Sequence, residues 1–382
     1  MMNILDYIKD YNVLFSVKDM NELDSMIFAE LTYCHFDKTP GITSFKELAH
    51  NQEAIDTLSK GVWGEANMKK LLELLSKSSR FKEISWGSLE NKLDVNNEFE
   101  FNAITFQIRP NLRYIAYRGT TATKVGWKED FNMSFSDSVP AHFFARKYFR
   151  ERIQNYKGKV CLGGHSKGGN LAFYVGLTAT EEEAKLIKRI DNFDGPGFHD
   201  QNVRFDKKIK QLKGKIHKFI PQASIVGILM DDLVEDKAYC EFVKSTGIPP
   251  MQHNLFNWEI KGHHFVTVDH LDTGTRFSWK TFSSFLENTS DEERREFIEM
   301  IYDAANVDEK LYLREMFTPK GTGKIAGNLL ATGLKNQASW KPLIGKIWAA
   351  SREVGANAWA NKKKELLNKK KELLNKLEKQ IK

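Results

Sequence analysis

No window of this chain offers about 18 consecutive uncharged apolar residues, the length that an ordinary membrane-crossing helix needs. The amino-terminal stretch MMNILDYIKDYNVLF is interrupted by Asp6, Lys9 and Asp10, so the continuous apolar region of a secretory signal is missing. Cysteine is scarce too. Cys34, Cys161 and Cys240 are three widely spaced residues without any CxxC pair, which indicates neither a disulfide framework nor a zinc knuckle. A reducing cytoplasm is the expected location. Among histidines and acids, His263, His264, Asp269 and His270 gather close in sequence, but a helical HExxH arrangement is lacking, and no metal or organic cofactor is expected.

What is present fits a globular protein. At 382 residues, 41% hydrophobic and 12% aromatic, the chain can bury a full core and is long enough for one large domain with additions or for two. Its formal charge of +7 would suggest anionic partners if it were spread evenly. From Asn361 onward, however, the sequence reads NKKKELLNKKKELLNKLEKQIK, a seven-residue unit repeated twice and then degraded. This tail holds much of the excess, the remaining body is nearer neutral, and nucleic acid is not an expected partner.

Hydrophobic periodicity divides the chain. Residues 1–92 read as a helical region packed on the core, with periodic apolar positions in NELDSMIFAELTYCHF and NMKKLLELLSKSSRF. Over 93–288, short apolar strands alternate with helical stretches, the signature of a mainly parallel sheet covered on both faces. The expected strands include FNAITFQI, RYIAYRG, GKVCLGG, RIDNFD, KIHKFI, AYCEFV and FNWEI. A second helical region, 289–360, opens at SDEE, where Ser290 and Glu293 have capping-box spacing. Residues 361–382 form a basic amphipathic tail.

The most informative stretch is CLGGHSKGGNLA, Cys161 to Ala172. An apolar strand runs into Gly164-His165-Ser166-Lys167-Gly168, and a helical pattern follows at once, which is the strand-turn-helix context that a G-x-S-x-G nucleophile elbow requires. The chemistry explains the spacing. A nucleophile must stand on a strained turn that points its oxygen outward, and glycine two residues before and after lets strand and helix approach closely. The competing interpretation is a tight glycine turn. In the elbow interpretation Ser166 is the nucleophile, the backbone N–H of Lys167 helps to form the oxyanion hole, and the Lys167 side chain either binds an anionic head group or projects into solvent. The second N–H comes from a loop such as that after YIAYRGT, where Gly119 and Thr120 end a strand. Arg118 is expected to hold that loop by pairing with a carboxylate such as Asp130.

At this point a resemblance emerges. AYRGT followed by GWKEDF and then GGHSKGGNLA resembles class 3 lipases of the α/β-hydrolase fold. The longer series RGT, GWKEDFNMSF, GGHSKGGNLA, FDGPGF, IPQASIVGILM and QHNLFNW is similar to a bacterial family of lipase-like hydrolases, over residues 1 to about 270. The resemblance implies Thr120 as oxyanion donor, Ser166 as nucleophile and His253 as general base, and an acyl ester or lipid as substrate. One departure stands out, because the segment where class 3 lipases carry the triad Asp reads IPQASIVG and places Ser224 there. Asp194 is the better acid candidate: it ends the strand after the elbow helix, resembles the acid site of pancreatic-type lipases, and keeps the chain order Ser166, Asp194, His253. Asp231 and Asp232 remain alternatives for the acid, and His264 and His270 for the base. A hydrolase-fold protein that binds a lipid or partner without turnover, and an acyltransferase or thioesterase, are the rival functions.

In the tail, Leu366, Leu367, Leu373, Leu374, Leu377 and Ile381 share one side of a helix whose other sides are mostly Lys, Asn and Glu. Such a helix can pack on its own domain, pair as a short coiled coil, or hold the enzyme at an anionic inner membrane leaflet, each Lys near the surface contributing about 1 kcal/mol. For the membrane role, removing residues 361–382 is expected to leave hydrolysis of a short soluble ester unchanged and to reduce flotation with anionic vesicles at low salt. Equal flotation of the truncated and full-length proteins would make the tail a packing or pairing helix.

Overall fold

The structure, a computed structural model, describes residues 1–94, 96, 99–121, 129, 133, 136–198, 201–224, 226–231, 233–234, 236–290, 292–296, 345–346 and 348–356. The tail and residues 297–344 lie outside this set. Five helices come first: α1 (Ile4–Asp10), α2 (Glu22–Leu31), α3 (Phe45–Leu48), α4 (Gln52–Ser59) and α5 (Glu65–Lys77). Strands β1 (Ser85–Asp94), β2 (Phe99–Arg109) and β3 (Leu112–Tyr117) follow, then α6 (Pro140–Ile153), β4 (Lys159–His165), α7 (Lys167–Leu177), α8 (Glu181–Leu186) and β5 (Ile187–Phe193). The chain continues through α9 (Gln201–Gln211), β6 (Ile216–Pro221), β7 (Cys240–Val243) and α10 (Pro249–Gln252) to the short strands β8 (Ile260–Lys261), β9 (His264–Phe265) and β10 (Thr267–Val268), and then α11 (Thr273–Glu287).

Eight strands form one sheet in the order β1-β2-β3-β4-β5-β6-β7-β10. From β3 to β7 every pairing is parallel, whereas β1, β2 and β3 pair as an antiparallel meander and β10 runs antiparallel to β7. With helices on the connections from β3 to β6, this is the mostly parallel, helix-flanked sheet of the α/β-hydrolase fold. The strands read as apolar runs because both faces are covered. Successive side chains alternate between the faces. Tyr114, Ala116, Cys161, Phe193 and Phe219 pack with α1–α5 on one side, and Ile115, Tyr117, Val160, Leu162 and Ile190 pack with α6 and α7 on the other. The amino-terminal helices are therefore one covering layer of the sheet.

Two expectations need correction. Strand β1 begins at Ser85, inside the segment read as helical; its sequence SWGSLENKLD is polar because it is an edge strand, and most of its residues stay exposed or half-exposed. The stretch FNWEI, read as a strand, opens in a 3-10 turn at Leu255–Asn257, makes a single bridge at Trp258 and reaches β8 only at Ile260. Ser290 and Glu293 do cap reciprocally: Ser290 N donates to Glu293 Oε2 at 3.0 Å and Glu293 N to Ser290 Oγ at 3.2 Å. Beneath the sheet, the buried Arg80 guanidinium pairs with Asp24, which also accepts from the Tyr7 hydroxyl at 2.9 Å.

Glu30, on α2, is buried at 6% exposure, and burial alone pushes its carboxyl up to about 8. The folded chain thus keeps a proton that the unfolded chain, with an ordinary Glu value of about 4.3, has already released. Stability is lost as pH rises through that window. Glu30→Gln is expected to be nearly neutral around pH 4.5 and increasingly stabilising toward pH 8, at ~1.4 kcal/mol per pH decade and a few kcal/mol in all. Urea midpoints of both proteins across that range check this; a constant difference would show that Glu30 is ionised in the fold.

Candidate active site

The site begins with a turn that only small residues permit. At the end of β4, Ser166 adopts φ 57° and ψ −131°, in the half of backbone space that L-residues rarely occupy. A Cβ on Gly164 would lie 2.3 Å from the carbonyl carbon of Gly168, and one on Gly168 would lie 2.0 Å from the Tyr117 carbonyl oxygen. The backbones of β3, β4 and α7 touch there with no room for side chains. Ser166 N donates to Phe193 O at 2.9 Å, and Ser166 O accepts from Gly169 N at 2.9 Å. Ser166 is left half-buried at the carboxyl edge of the sheet, where ligand sites of open α/β sheets lie.

The next parallel strand delivers Asp194 to the same edge. It directly follows β5, also with positive φ (53°), and its N–H donates to Phe219 O at 2.8 Å. The side chain is fully buried. Oδ2 lies 2.6 Å from His253 Nδ1, while Oδ1 accepts from Ser224 Oγ at 2.5 Å and from Gly227 N at 3.1 Å. His253 is the carboxyl cap of α10 and remains partly exposed. Because a carboxylate only accepts, Nδ1 of His253 carries the hydrogen and Nε2 offers its lone pair. Ser224 neither replaces Asp194 nor competes with it; its hydroxyl holds the carboxylate in place.

The loop after β3 closes against the elbow. A Cβ on Gly119 would come within 3.0 Å of Ser166 Cβ and 2.6 Å of His165 O, so Thr120 follows a point of direct approach. The buried Glu100 secures the next residue, accepting from Thr121 Oγ1 at 2.8 Å, Thr121 N at 3.3 Å and Arg118 at 2.8 Å. Arg118 therefore pairs with Glu100; Asp130 lies outside the described residues. The Lys167 side chain differs from both expectations. It is 2% exposed and neither faces solvent nor is available to a head group, because Nζ donates to Glu129 Oε2 at 2.8 Å and to Glu100 O at 2.9 Å. Glu129 also accepts from Glu100 N at 3.1 Å and Ala141 N at 2.9 Å.

The alternative residues are engaged elsewhere. Asp231 pairs with the buried Lys218 and accepts from Tyr239, and Asp232 lies outside the described residues. His264 Nδ1 is 2.6 Å from Glu22 Oε1, His263 packs on Tyr11, and His270 lines a separate cleft of about 220 Å³ with Lys237, Asp269 and Arg276. Among the described residues no group of three or more His, Cys, Asp or Glu is arranged to hold a metal ion. Sequence reasoning missed Glu100, Glu129 and the contact made by Tyr33, whose hydroxyl is 2.9 Å from His165 Nδ1. The one signal for the first two is Lys167 itself, a cation set between a buried strand and a buried helix.

Residues 75–303 match the model of a protein family described as Mbeg1-like, a stretch longer than half the chain and containing Ser166, Asp194 and His253. No curated protein matches the sequence. Among solved structures, M37 lipase is similar at 17% identity, over 55% of this chain and 70% of that one, with a TM-score of 0.31. Lip2 lipase from Yarrowia lipolytica is similar at 13% identity, over 51% and 77%, with a TM-score of 0.33. A Rhizomucor miehei lipase propeptide complex is similar at 14%, over 58% and 68%, with a TM-score of 0.32. At such scores the likenesses carry no argument, and the fold class rests on strand order and on the turn at Ser166.

Lys167→Met would leave Glu129 as an unpaired charge in a dry site, a loss expected to cost ~3–5 kcal/mol. Adding Glu129→Gln removes that charge and should restore part of the stability, because one of the two backbone N–H groups that Glu129 accepts from would then face the amide nitrogen. Urea unfolding of the single and double variants checks the pair, and a double variant no better than the single would show that Lys167 contributes packing and not charge.

Proposed function

The chain belongs to the Mbeg1-like family, and from the site built within that stretch we propose that it is a serine hydrolase of carboxylic esters, lipase- or esterase-like in its chemistry. The observation that carries this reading is the 2.6 Å pair between the buried Asp194 and His253, at the same sheet edge as a serine held in a left-handed turn. His253 Nε2 takes the proton of Ser166 Oγ as the oxygen attacks the ester carbonyl carbon. The backbone N–H groups of Lys167 and Thr120 hold the oxyanion, and Asp194 stabilises the imidazolium. The imidazolium returns its proton to the leaving alcohol, and water, activated by the same base, releases the acyl group.

An acylglycerol, a phospholipid or another acyl ester fits this chemistry, and a thiol ester or a second acceptor alcohol would use the same steps. Among the described residues no helix is long and apolar enough to cross a membrane. A cytoplasmic location, with attachment to the inner leaflet through residues 361–382, rests on the sequence alone.

A fluorophosphonate probe is expected to label wild-type Ser166, seen as an adduct by intact mass, and Ser166→Ala to retain less than about 1% of esterase activity with little change in fold. Asp194→Asn should lower turnover roughly 10³–10⁴-fold, as when the acid's charge is lost from other triads. Ser224→Ala removes one hydrogen bond and should cost roughly tenfold or less. An unlabelled wild type would assign the fold to binding without turnover, and a larger loss in Ser224→Ala than in Asp194→Asn would overturn the choice of acid.

A further inference from the structure

Tyr33 lies two residues beyond α2, in the helical layer that covers one face of the sheet. Its hydroxyl is 2.9 Å from Nδ1 of His165, and Nε2 of the same ring is 2.8 Å from the carbonyl oxygen of His253. His165 is 3% exposed, so both ring nitrogens depend on these two partners. A carbonyl oxygen only accepts. Nε2 of His165 must therefore carry the hydrogen, Nδ1 must offer a lone pair, and Tyr33 must be the donor that meets it. The same hydroxyl sits 2.3 Å from the point a Cβ on Gly119 would occupy, and that point is 3.0 Å from Ser166 Cβ. Tyr33 is thus lodged against the elbow and the loop after β3 together.

We propose that Tyr33 and His165 form a positioning relay: the Tyr33 hydroxyl, donating to Nδ1, holds the His165 ring in place, and the Nε2–H of that ring anchors the backbone of His253 so that its imidazole reaches the nucleophile. The relay rests on the assignment of His253 as general base. It is needed because His253 terminates a single helical turn, α10, and is not locked in a longer element. Without the Tyr33 donor the buried Nδ1 lone pair loses its partner, and the His165 ring is free to tilt. The 2.8 Å bond from Nε2–H to the His253 carbonyl would then lose its alignment, and the base would shift with it. Displacements of about 1 Å at such a distance from the chemistry can cost around 10²-fold in rate.

The two imidazoles also lie 4.3 Å apart, centre to centre. A charge on His165 would oppose the imidazolium forming on His253, and burial, reinforced by His253 beside it, holds His165 well below the ordinary histidine range. The relay therefore transmits orientation without adding charge.

The test is a double-mutant cycle on the full-length protein, read as p-nitrophenyl butyrate hydrolysis, with ¹⁵N shifts of the histidine rings recorded alongside. Tyr33→Phe is expected to lower kcat roughly ten- to a hundredfold with KM changed less than about twofold. In a His165→Gln background, where the amide donates to the His253 carbonyl whatever Tyr33 does, Tyr33→Phe should cost about twofold or less. Wild-type His165 should show the Nε2–H tautomer, and Tyr33→Phe should keep it while shifting the Nδ1 resonance, as that nitrogen loses its donor. Equal losses in both backgrounds, or an Nδ1–H tautomer in wild type, would overturn the relay while leaving the triad standing. A wild type inert to both the ester and the fluorophosphonate probe would overturn the hydrolase reading and the relay with it.

Discussion

The contact on which the site depends is between backbones. At Gly168 the chain passes so close to the Tyr117 carbonyl that a Cβ would sit 2.0 Å from it, and Gly164 meets Gly168 in the same way. This contact fuses β3, β4 and α7 into one unit and forces the intervening residue, Ser166, into positive φ. It also dictates the direction of its neighbours. His165 ends β4 pointing toward the amino-terminal helical layer, where Tyr33 waits, and Lys167 begins α7 pointing under the loop after β3. Strain at one residue is tolerated because both flanking side chains are committed to buried partners.

Those two partners come from opposite coverings of the sheet. On one side lies the charged group of Lys167, Glu129, Glu100 and Arg118, with the cations and carboxylates matched and with backbone N–H groups of Glu100, Thr121 and Ala141 completing the carboxylates. Buried charge is tolerable only when paired and hydrogen-bonded in this way. On the other side lies the neutral pair of Tyr33 and His165. The charged group sets the loop proposed to supply one oxyanion N–H, and the neutral pair touches the backbone of the proposed base. Neither the helical amino-terminal layer nor Glu129 is dispensable to the geometry at Ser166.

How much of this is legible in the sequence follows from the range of each interaction. The elbow is legible because its sterics are local: glycine, serine and glycine within five residues between an apolar strand and an apolar helix. The parallel strands are legible because burial on both faces leaves apolar runs such as KVCL. Asp194 can be singled out as the polar residue ending the strand that follows, and the structure does bring it to His253. Strand β1 escapes because an edge strand needs no apolar face, and FNWEI misleads because Phe256 is buried from a 3-10 turn and Trp258 from a single bridge to Ser245, not from a regular strand. The partner of Lys167 cannot be chosen in advance, since Glu129 and Asp130 are adjacent in KED and only the fold decides. Tyr33 is 132 residues from His165, in a turn just beyond a helix whose pattern records only which face is buried.

Ser224 shows why position in sequence and position in space must be kept apart. The resemblance to class 3 lipases would put a triad acid at Ser224, three residues beyond β6, and a hydroxyl stands there. In space the ends of β5 and β6 are neighbours in a parallel sheet. Asp194 at the end of β5 and Ser224 beyond β6 therefore converge on one spot, 2.5 Å apart. A carboxylate from either strand end can reach a histidine at that spot, and the residue from the other strand then faces the carboxylate's second oxygen. A neutral donor suits that place, whereas a second carboxylate would repel the first. With Asp194 buried and accepting from Ser224 and Gly227, the hydroxyl at the lipase-like position follows from where the charge sits.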